Sequence, residues 1–342
     1  MIYSASSIYA QEKFNDGMFF LKRHLFFLFL GSIFCLFVMG IDYRKLKRLC
    51  KPLLILTLLL LVLVLIPGIG SSAGGAQRWF RFGRLSFQPS WMANVILIIY
   101  VADFINRKQN LLGDFVNGFL PVILISGLIC GLILLQPDLG TALAIFIVLG
   151  LLLYMGGTSI SYLVFTLLAS LPILCIMIFS VPYRRVRMFA FLNPLSDPEG
   201  SGFQIMQSWI AIGSGGFFGQ GLGASRQKLF FLPAAHTDFI FSIIGEELGF
   251  FGVAGIIILF ILLLLCGLKA IKNCTEKFGY YLGLGLMLSL ILRTFINIAV
   301  VCNLLPTKGL PLPFISYGGS SLIFDMISIA LILNISKSSE VL

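Results

Sequence analysis

The sequence consists mainly of long apolar runs separated by polar segments. A helix of about 20 apolar residues can cross a bilayer, and continuous apolar runs of that kind predict membrane-spanning helices. The predicted spans are residues 19–40, 53–67, 91–105, 117–135, 141–156, 160–181, 237–268, 279–304 and 320–335. We therefore predict an all-α polytopic membrane protein with about nine complete transmembrane helices, forming a single domain over residues 1–342.

The polar segments indicate how the spans are oriented. Residues 42–51 contain five Lys or Arg residues, and short basic loops stay in the cytoplasm. This orientation places residues 68–90, 182–235 and 305–319 at the outer face of the membrane. The segment 182–235 is the longest polar region and predicts a large outer loop.

The composition supports a membrane protein. The chain is 58% hydrophobic and 11% charged, with a mean hydropathy of +1.02, whereas a soluble domain has about 25% charged residues. A transmembrane barrel would show alternating polar and apolar positions, which these runs lack. The net charge of +10 favours anionic partners. Because the basic residues are scattered among the spans, nucleic acid is not expected as a partner.

Carboxylates are concentrated in the stretch 233–249, where the large polar region meets an apolar run. It contains Asp238, Glu246 and Glu247, three of the 14 acidic residues. If residues 237–268 form one helix, Asp238 and Glu246 point roughly the same way, about 12 Å apart along its axis. Ionisable groups at the mouth of a membrane helix are functional candidates.

The predicted outer loops contain many cations, against the usual positive-inside tendency. Long outer loops are one explanation, since the tendency is weaker for them. The other is an anionic ligand, because the arginine fork binds phosphate in bidentate fashion. The cations concerned are Arg78, Arg81, Arg84, Arg184, Arg185, Arg187, Arg226, Lys228 and Lys308.

Seven motifs, spread over almost the whole chain, occur in the order found in one known family. They are YSASS (3–7), AQRWF (76–80), FQPS (87–90), QPDLGTA (136–142), NPLSDPEGSGFQIMQS (193–208), GQGLGASRQKLFFLPAAHTDFIFSIIGEELGFFG (219–252) and LPFISYGGSS (312–321). In this order they resemble the SEDS family (shape, elongation, division and sporulation), which includes FtsW and RodA. GLGASRQK and SDPEGSGFQ are more similar to the FtsW branch.

The resemblance implies a peptidoglycan glycosyltransferase that polymerises lipid II at the outer face of the cytoplasmic (inner) membrane, in septal wall synthesis during cell division. It implies a class B penicillin-binding protein and other divisome proteins as partners. It also implies ten family helices, of which the first is expected here only as its YSASS end. The essential aspartate of the HTDF motif corresponds to Asp238.

The chemistry of strand elongation suits these residue types. An acceptor sugar hydroxyl must lose a proton, and we predict that Asp238 is the general base, with its pKa raised by a low-dielectric setting. The departing pyrophosphate carries negative charge, which arginines or a divalent cation such as Mg²⁺ would stabilise. No other cofactor and no metal-binding residue is predicted. The candidate pyrophosphate contacts are Arg78, Arg184, Arg185, Arg187 and Lys228.

Four further residues complete the predicted substrate site, each with an alternative. Trp79 is a sugar platform or a residue of the interfacial aromatic belt. Glu246 is a candidate substrate contact, although a solvated or arginine-paired structural couple with Glu247 is favoured over direct catalysis. Ser316 and Gly318 of ISYGGSS line the cavity or allow a close helix approach.

Four other positions carry weaker evidence about activity. A capping or packing role is favoured for His236, and a helix cap is favoured for Asp138. The family usually has a glutamate and a lysine where this chain has Trp91 and Asn94. These two departures retain a catalytically weak divisome scaffold as an alternative to a polymerase. A lipid II flippase, a transporter for the same substrate, is the other alternative.

Overall fold

The structure is a computed structural model that describes residues 1–73, 75–83, 85–198, 200–229, 232–233, 235–306 and 309–340. Two of the predicted outer cations, Arg84 and Lys308, lie outside these residues. The helices are α1 (Ile2–Phe14), α2 (Phe19–Gly40), α3 (Leu46–Leu63), α4 (Pro89–Lys108), α5 (Leu120–Leu135), α6 (Leu139–Gly156), α7 (Ile160–Phe179), α8 (Pro182–Leu192), α9 (Phe203–Gly215), α10 (Ile240–Lys272), α11 (Lys277–Val301) and α12 (Gly319–Glu340).

Eight helices among the described residues are long and apolar enough to cross a membrane. They correspond to eight of the nine predicted spans, so the prediction of an all-α polytopic membrane protein is confirmed. The remaining predicted span, residues 53–67, corresponds to α3, which begins at Leu46 and contains Lys47, Arg48 and Lys51 in its first turns. These cations reduce its apolar length.

Two predicted outer loops contain regular structure. Residues 68–90 include three antiparallel strands, β1 (Ser71–Ala73), β2 (Ala76–Phe82) and β3 (Leu85–Phe87), in the order β1-β2-β3. Residues 182–235 include α8 and α9. Buried backbone groups need partners, and both segments satisfy many of theirs through local secondary structure.

The chain divides into two compact units. The first consists of Met1–Phe26, Leu167–Leu263 and Arg293–Gly318, and it contains Asp238. The second consists of Phe27–Thr166, Leu264–Leu292 and Gly319–Leu342. Its core surrounds α4, where Leu97, Ile98 and Ile105 are fully buried. A functional single domain over residues 1–342 stays a prediction.

The helix α10 is broken near its start, so the predicted span over 237–268 is not one unbroken helix. It begins at Ile240, and Gly249 has non-helical backbone angles (φ 63°, ψ −161°). An unbroken helix would pair the amides of residues 250 and 251 with the carbonyls of residues 246 and 247. The break removes both hydrogen bonds.

Residues 216–221 supply partners for all four backbone groups. Gln220 N donates to Glu246 O (2.9 Å), and Gly221 N donates to Glu247 O (3.0 Å). On the other side of the break, the amides of residues 250 and 251 donate to the carbonyls of residues 216 and 217, at 2.9 and 3.2 Å. A broken helix is tolerated at membrane depth when its freed backbone groups find protein partners. The segment therefore bridges the two parts of α10.

Glycine is required at two positions where residues 216–221 lie against α10. A Cβ at Gly249 would lie 2.3 Å from Gly219 N, and a Cβ at Gly219 would lie 2.2 Å from Glu247 O. Both glycines have positive φ.

We expect Gly249→Ala to lower the thermal unfolding temperature of the purified protein in detergent. The substitution adds about 1–3 kcal/mol of backbone strain and a clash with the backbone. Gly255→Ala is the matched control in the same helix, where a Cβ meets nothing within 4 Å and alanine favours the helix by about 1 kcal/mol. Equal effects of the two substitutions would contradict this role of the break.

Candidate active site

Asp238 lies in a turn that precedes α10, not within the helix. The predicted helical relation between Asp238 and Glu246 is therefore wrong, because the helix begins two residues after Asp238. Asp238 is half-buried and Glu246 is buried.

The backbone around Asp238 is held by side chains and amides from α11 and the segment that follows it. Asn297 Nδ2 donates to Asp238 O (2.9 Å) and to Leu310 O (2.8 Å). Ser316 Oγ donates to Thr237 O (2.5 Å). The amide of Tyr317 donates to the carbonyl of residue 236 (3.0 Å). The predicted site residues Ser316 and Gly318 thus belong to a segment that contacts the Asp238 turn.

The Asp238 carboxylate itself lies against Gly309. A Cβ at Gly309 would be 2.8 Å from Asp238 Oδ2, closer than real Cβ contacts allow. A side chain at residue 309 would therefore displace the carboxylate from its present position.

His236 is part of an aromatic cluster. Its ring centroid lies 5.5 Å from that of Tyr9, 4.6 Å from that of Phe20 and 6.0 Å from that of Tyr317. Burial lowers the pKa of the His236 imidazole to about 4, so the ring is neutral at pH 7. The packing interpretation of His236 is confirmed.

Lys228 is buried in an ion pair, which the sequence did not predict. Its Nζ lies 3.0 Å from Glu247 Oε1, and it also donates to Ser4 Oγ (3.1 Å) and Gly223 O (2.6 Å). The Ser4 hydroxyl donates to the same Glu247 oxygen. Lys228 is 8% exposed and Glu247 is 0% exposed.

Glu246, the residue before Glu247 on α10, binds the loop that contains Lys228. Its carboxylate accepts hydrogen bonds from Ser225 Oγ and from the amides of Arg226 (2.8 Å) and Gln227 (3.4 Å). These contacts are structural, but they correct the expectation of a solvated or arginine-paired couple, because Glu246 and Glu247 are both buried and Glu247 pairs with Lys228. A contact between Glu246 and substrate stays a prediction.

The three predicted arginines of α8 differ in their surroundings. Arg184 Nη1 donates to Met177 O (2.9 Å), one of the carbonyls at the C-terminal end of α7, where such groups lack helical partners. Arg185 is exposed, and Arg187 is half-buried.

Arg78 and Trp79 lie on β2 in the second unit. Arg78 donates to Gln136 O (3.0 Å) and Pro137 O (2.9 Å) and lies 3.8 Å from the Asp138 carboxylate. Trp79 is half-buried. Asp138 caps α6 by accepting from Thr141 N (3.3 Å), so its predicted capping role is confirmed.

The two departures from the family pattern occupy neutral, satisfied positions. Trp91 is 4% exposed and donates through Nε1 to Gln88 Oε1 (3.1 Å). Asn94 is 7% exposed and donates to Ser289 Oγ (2.7 Å). Neither leaves an uncompensated charge in the second unit.

Three residues of the first unit were missed by sequence reasoning: Ser4, Asn297 and Gly309. Asn297 carried a usable signal, because a polar side chain within an apolar span needs a partner. Ser4 and Gly309 carried no such signal, since their roles depend on contacts between distant segments. Within the described residues, no group of three His, Cys, Asp or Glu side chains could hold a metal ion.

The fold and the site together define a multi-pass membrane protein with a carboxylate held in a turn at the start of a broken helix. Residues 1–341 match the model of a family described as cell cycle proteins, which is named for FtsW, RodA and SpoVE. The chain belongs to this family, and the SEDS resemblance of its motifs is confirmed.

Similar proteins agree with this assignment over nearly their full lengths. The chain is 47% identical over 336 residues to the probable peptidoglycan glycosyltransferase FtsW of Geobacter sp. (strain M18), covering 98% of this chain and 92% of the relative. It is 41% identical over 340 residues to stage V sporulation protein E of Bacillus subtilis (strain 168), covering 99% and 93%.

Solved structures share the fold. One is a chain from work described as "Structural coordination of polymerization and crosslinking by a peptidoglycan synthase complex", with a TM-score of 0.79, 30% identity and coverage of 99% of this chain and 95% of that chain. Another is the rod shape determining protein RodA of Thermus thermophilus, with a TM-score of 0.71, 28% identity and coverage of 98% and 93%.

We expect the stability of the protein to fall as the pH is lowered from about 6.5 to about 4. Because the pKa of His236 is lowered to about 4 in the folded state, the unfolded chain binds the proton first in this window and is favoured there. His236→Gln removes this contribution. Thermal unfolding of both proteins across the window checks it, and the same pH dependence in both would contradict it.

Proposed function

We propose that the protein is a peptidoglycan glycosyltransferase of the division type, which polymerises lipid II into glycan strands with Asp238 as general base. The observation that carries this proposal is the Asp238 turn, whose backbone is held by Asn297 and Ser316 and whose carboxylate lies against Gly309. A base acts efficiently when its position is set before the substrate arrives. The names of the relatives support the reaction class.

The proposed step transfers one proton and exchanges one bond. The acceptor hydroxyl oxygen forms a bond to the anomeric carbon of the donor sugar, and Asp238 takes the hydroxyl proton. The bond between that carbon and the pyrophosphate oxygen breaks, and its electron pair leaves with undecaprenyl pyrophosphate. The glycan strand gains one disaccharide unit.

The leaving group needs positive charge, and the predicted cations are not equally placed to supply it. Arg184, Arg78 and Lys228 already donate to protein acceptors. Arg185 is exposed on α8, and its fork can bind phosphate in bidentate fashion. Arg185 is therefore our preferred pyrophosphate contact. A divalent cation such as Mg²⁺ would reach the site on the substrate phosphates.

The partner and the location follow from the same proposal. We propose that the protein works with a class B penicillin-binding protein and other divisome proteins at the septum, in the cytoplasmic membrane with Asp238 facing outward. A structural relative is part of a peptidoglycan synthase complex, which supports a protein partner. The basic loop at residues 42–51 supports the orientation.

We expect Asp238→Asn to lower the rate of lipid II polymerisation by at least about 100-fold, the usual contribution of a general base. The purified protein is assayed with a partner lacking glycan synthesis of its own, and glycan strands are measured. Asp16→Asn is the matched control, since Asp16 forms an ion pair at the surface with Lys22.

Full polymerisation by Asp238→Asn would overturn the assignment of the base. A wild-type protein that makes no strands but moves lipid II across vesicles would indicate a flippase. A wild-type protein that does neither would indicate a scaffold.

A further inference from the structure

Three sequence motifs that are far apart in the chain meet at one buried ion pair in the first unit. Ser4 comes from YSASS on α1, Lys228 from GASRQK in the loop, and Glu247 from GEELG on α10. The Lys228 ammonium lies within 3.1 Å of Ser4 Oγ, Gly223 O and Glu247 Oε1.

The ammonium group has three N–H donors, and three protein acceptors surround it. Its charge is matched by the fully buried Glu247 carboxylate. A lysine in these surroundings has no donor left for a substrate phosphate.

We propose that Ser4, Lys228 and Glu247 form a buried latch that positions the loop leading to Asp238, and that Lys228 acts through this loop without touching substrate. The inference rests on the proposed polymerase activity, which it deepens by assigning positioning residues.

The latch is connected to Asp238 by two routes. Glu246, adjacent to Glu247, binds Ser225 and the amides of Arg226 and Gln227, so it holds the three residues that precede Lys228. Helix α1 provides the second route, because it carries both Ser4 and Tyr9. The Tyr9 ring stacks on His236 (5.5 Å), two residues before Asp238.

A buried ion pair has a useful property for testing this idea. Removing one partner leaves an uncompensated buried charge, whereas replacing both partners with apolar residues of similar volume is often tolerated. A latch should therefore be restored by a double substitution, but a phosphate contact should not.

The experiment compares Lys228→Met, Glu247→Leu and the double variant in the lipid II polymerisation assay. We expect each single variant to lower kcat at least tenfold with little change in KM for lipid II. We expect the double variant to return to within about threefold of the wild-type kcat. A double variant as inactive as Lys228→Met, with a raised KM, would overturn the latch and make Lys228 a substrate contact.

Amide hydrogen exchange of residues 223–229 gives a readout that does not depend on activity. Exchange should be faster in both single variants and near the wild-type rate in the double variant; unchanged exchange in the single variants would overturn the proposal. If the wild type makes no glycan strands, the proposed function fails while this measurement still decides the latch.

Two further variants distinguish a specific effect on activity from a general loss of folding. Lys22→Met makes the same change at an exposed ion pair with Asp16, and it should leave polymerisation and exchange unchanged. Ser4→Ala keeps both charges and removes one hydroxyl. It should lower kcat less than tenfold and speed exchange of residues 223–229. Wild-type exchange in Ser4→Ala would contradict the place of Ser4 in the latch, even if the single charge variants do not fold.

Discussion

The first unit depends on the backbone hydrogen bonds that close the break in α10. A helix broken within a membrane protein exposes carbonyls and amides that lipid cannot satisfy. The segment 216–221 meets that requirement with four hydrogen bonds across Gly249. The break ends the short first part of α10 just after Glu246 and Glu247, and both carboxylates reach the loop at residues 223–228.

The Asp238 turn, like the break, is held by hydrogen bonds from other segments. Carboxylates of α10 hold one part of the loop, while Asn297 and Ser316 hold the backbone at residues 237 and 238. Asp238 is thus placed by contacts from several segments and not by helical geometry. A turn held in this way can present a carboxylate in a fixed position, which a general base requires.

Sequence reasoning predicted eight of the membrane spans because continuous apolar runs are a local signal. It selected Asp238 from a charge at a span end and from the HTDF motif, and the role of Asp238 stays a prediction. It missed the break at Gly249, since a glycine within an apolar run also suits an unbroken helix. It also missed the sheet at residues 71–87, which is short and rich in glycine and serine. Lys228 was predicted to contact phosphate because loop cations are usually exposed, and its buried partner Glu247 lies 19 residues away in the sequence. Contacts of this kind depend on the assembled unit.

The surroundings of Asp238 set the position of its carboxylate, and this position determines the rate of polymerisation. Gly309→Ala tests this most directly, because the three atoms nearest the added methyl all belong to the Asp238 carboxyl group, with Oδ2 closest at 2.8 Å. The fold should therefore survive while the carboxylate is displaced. We predict that polymerisation falls at least tenfold while the unfolding temperature stays near that of the control Gly213→Ala, whose Cβ meets nothing within 4 Å. Full polymerisation by Gly309→Ala would contradict the account.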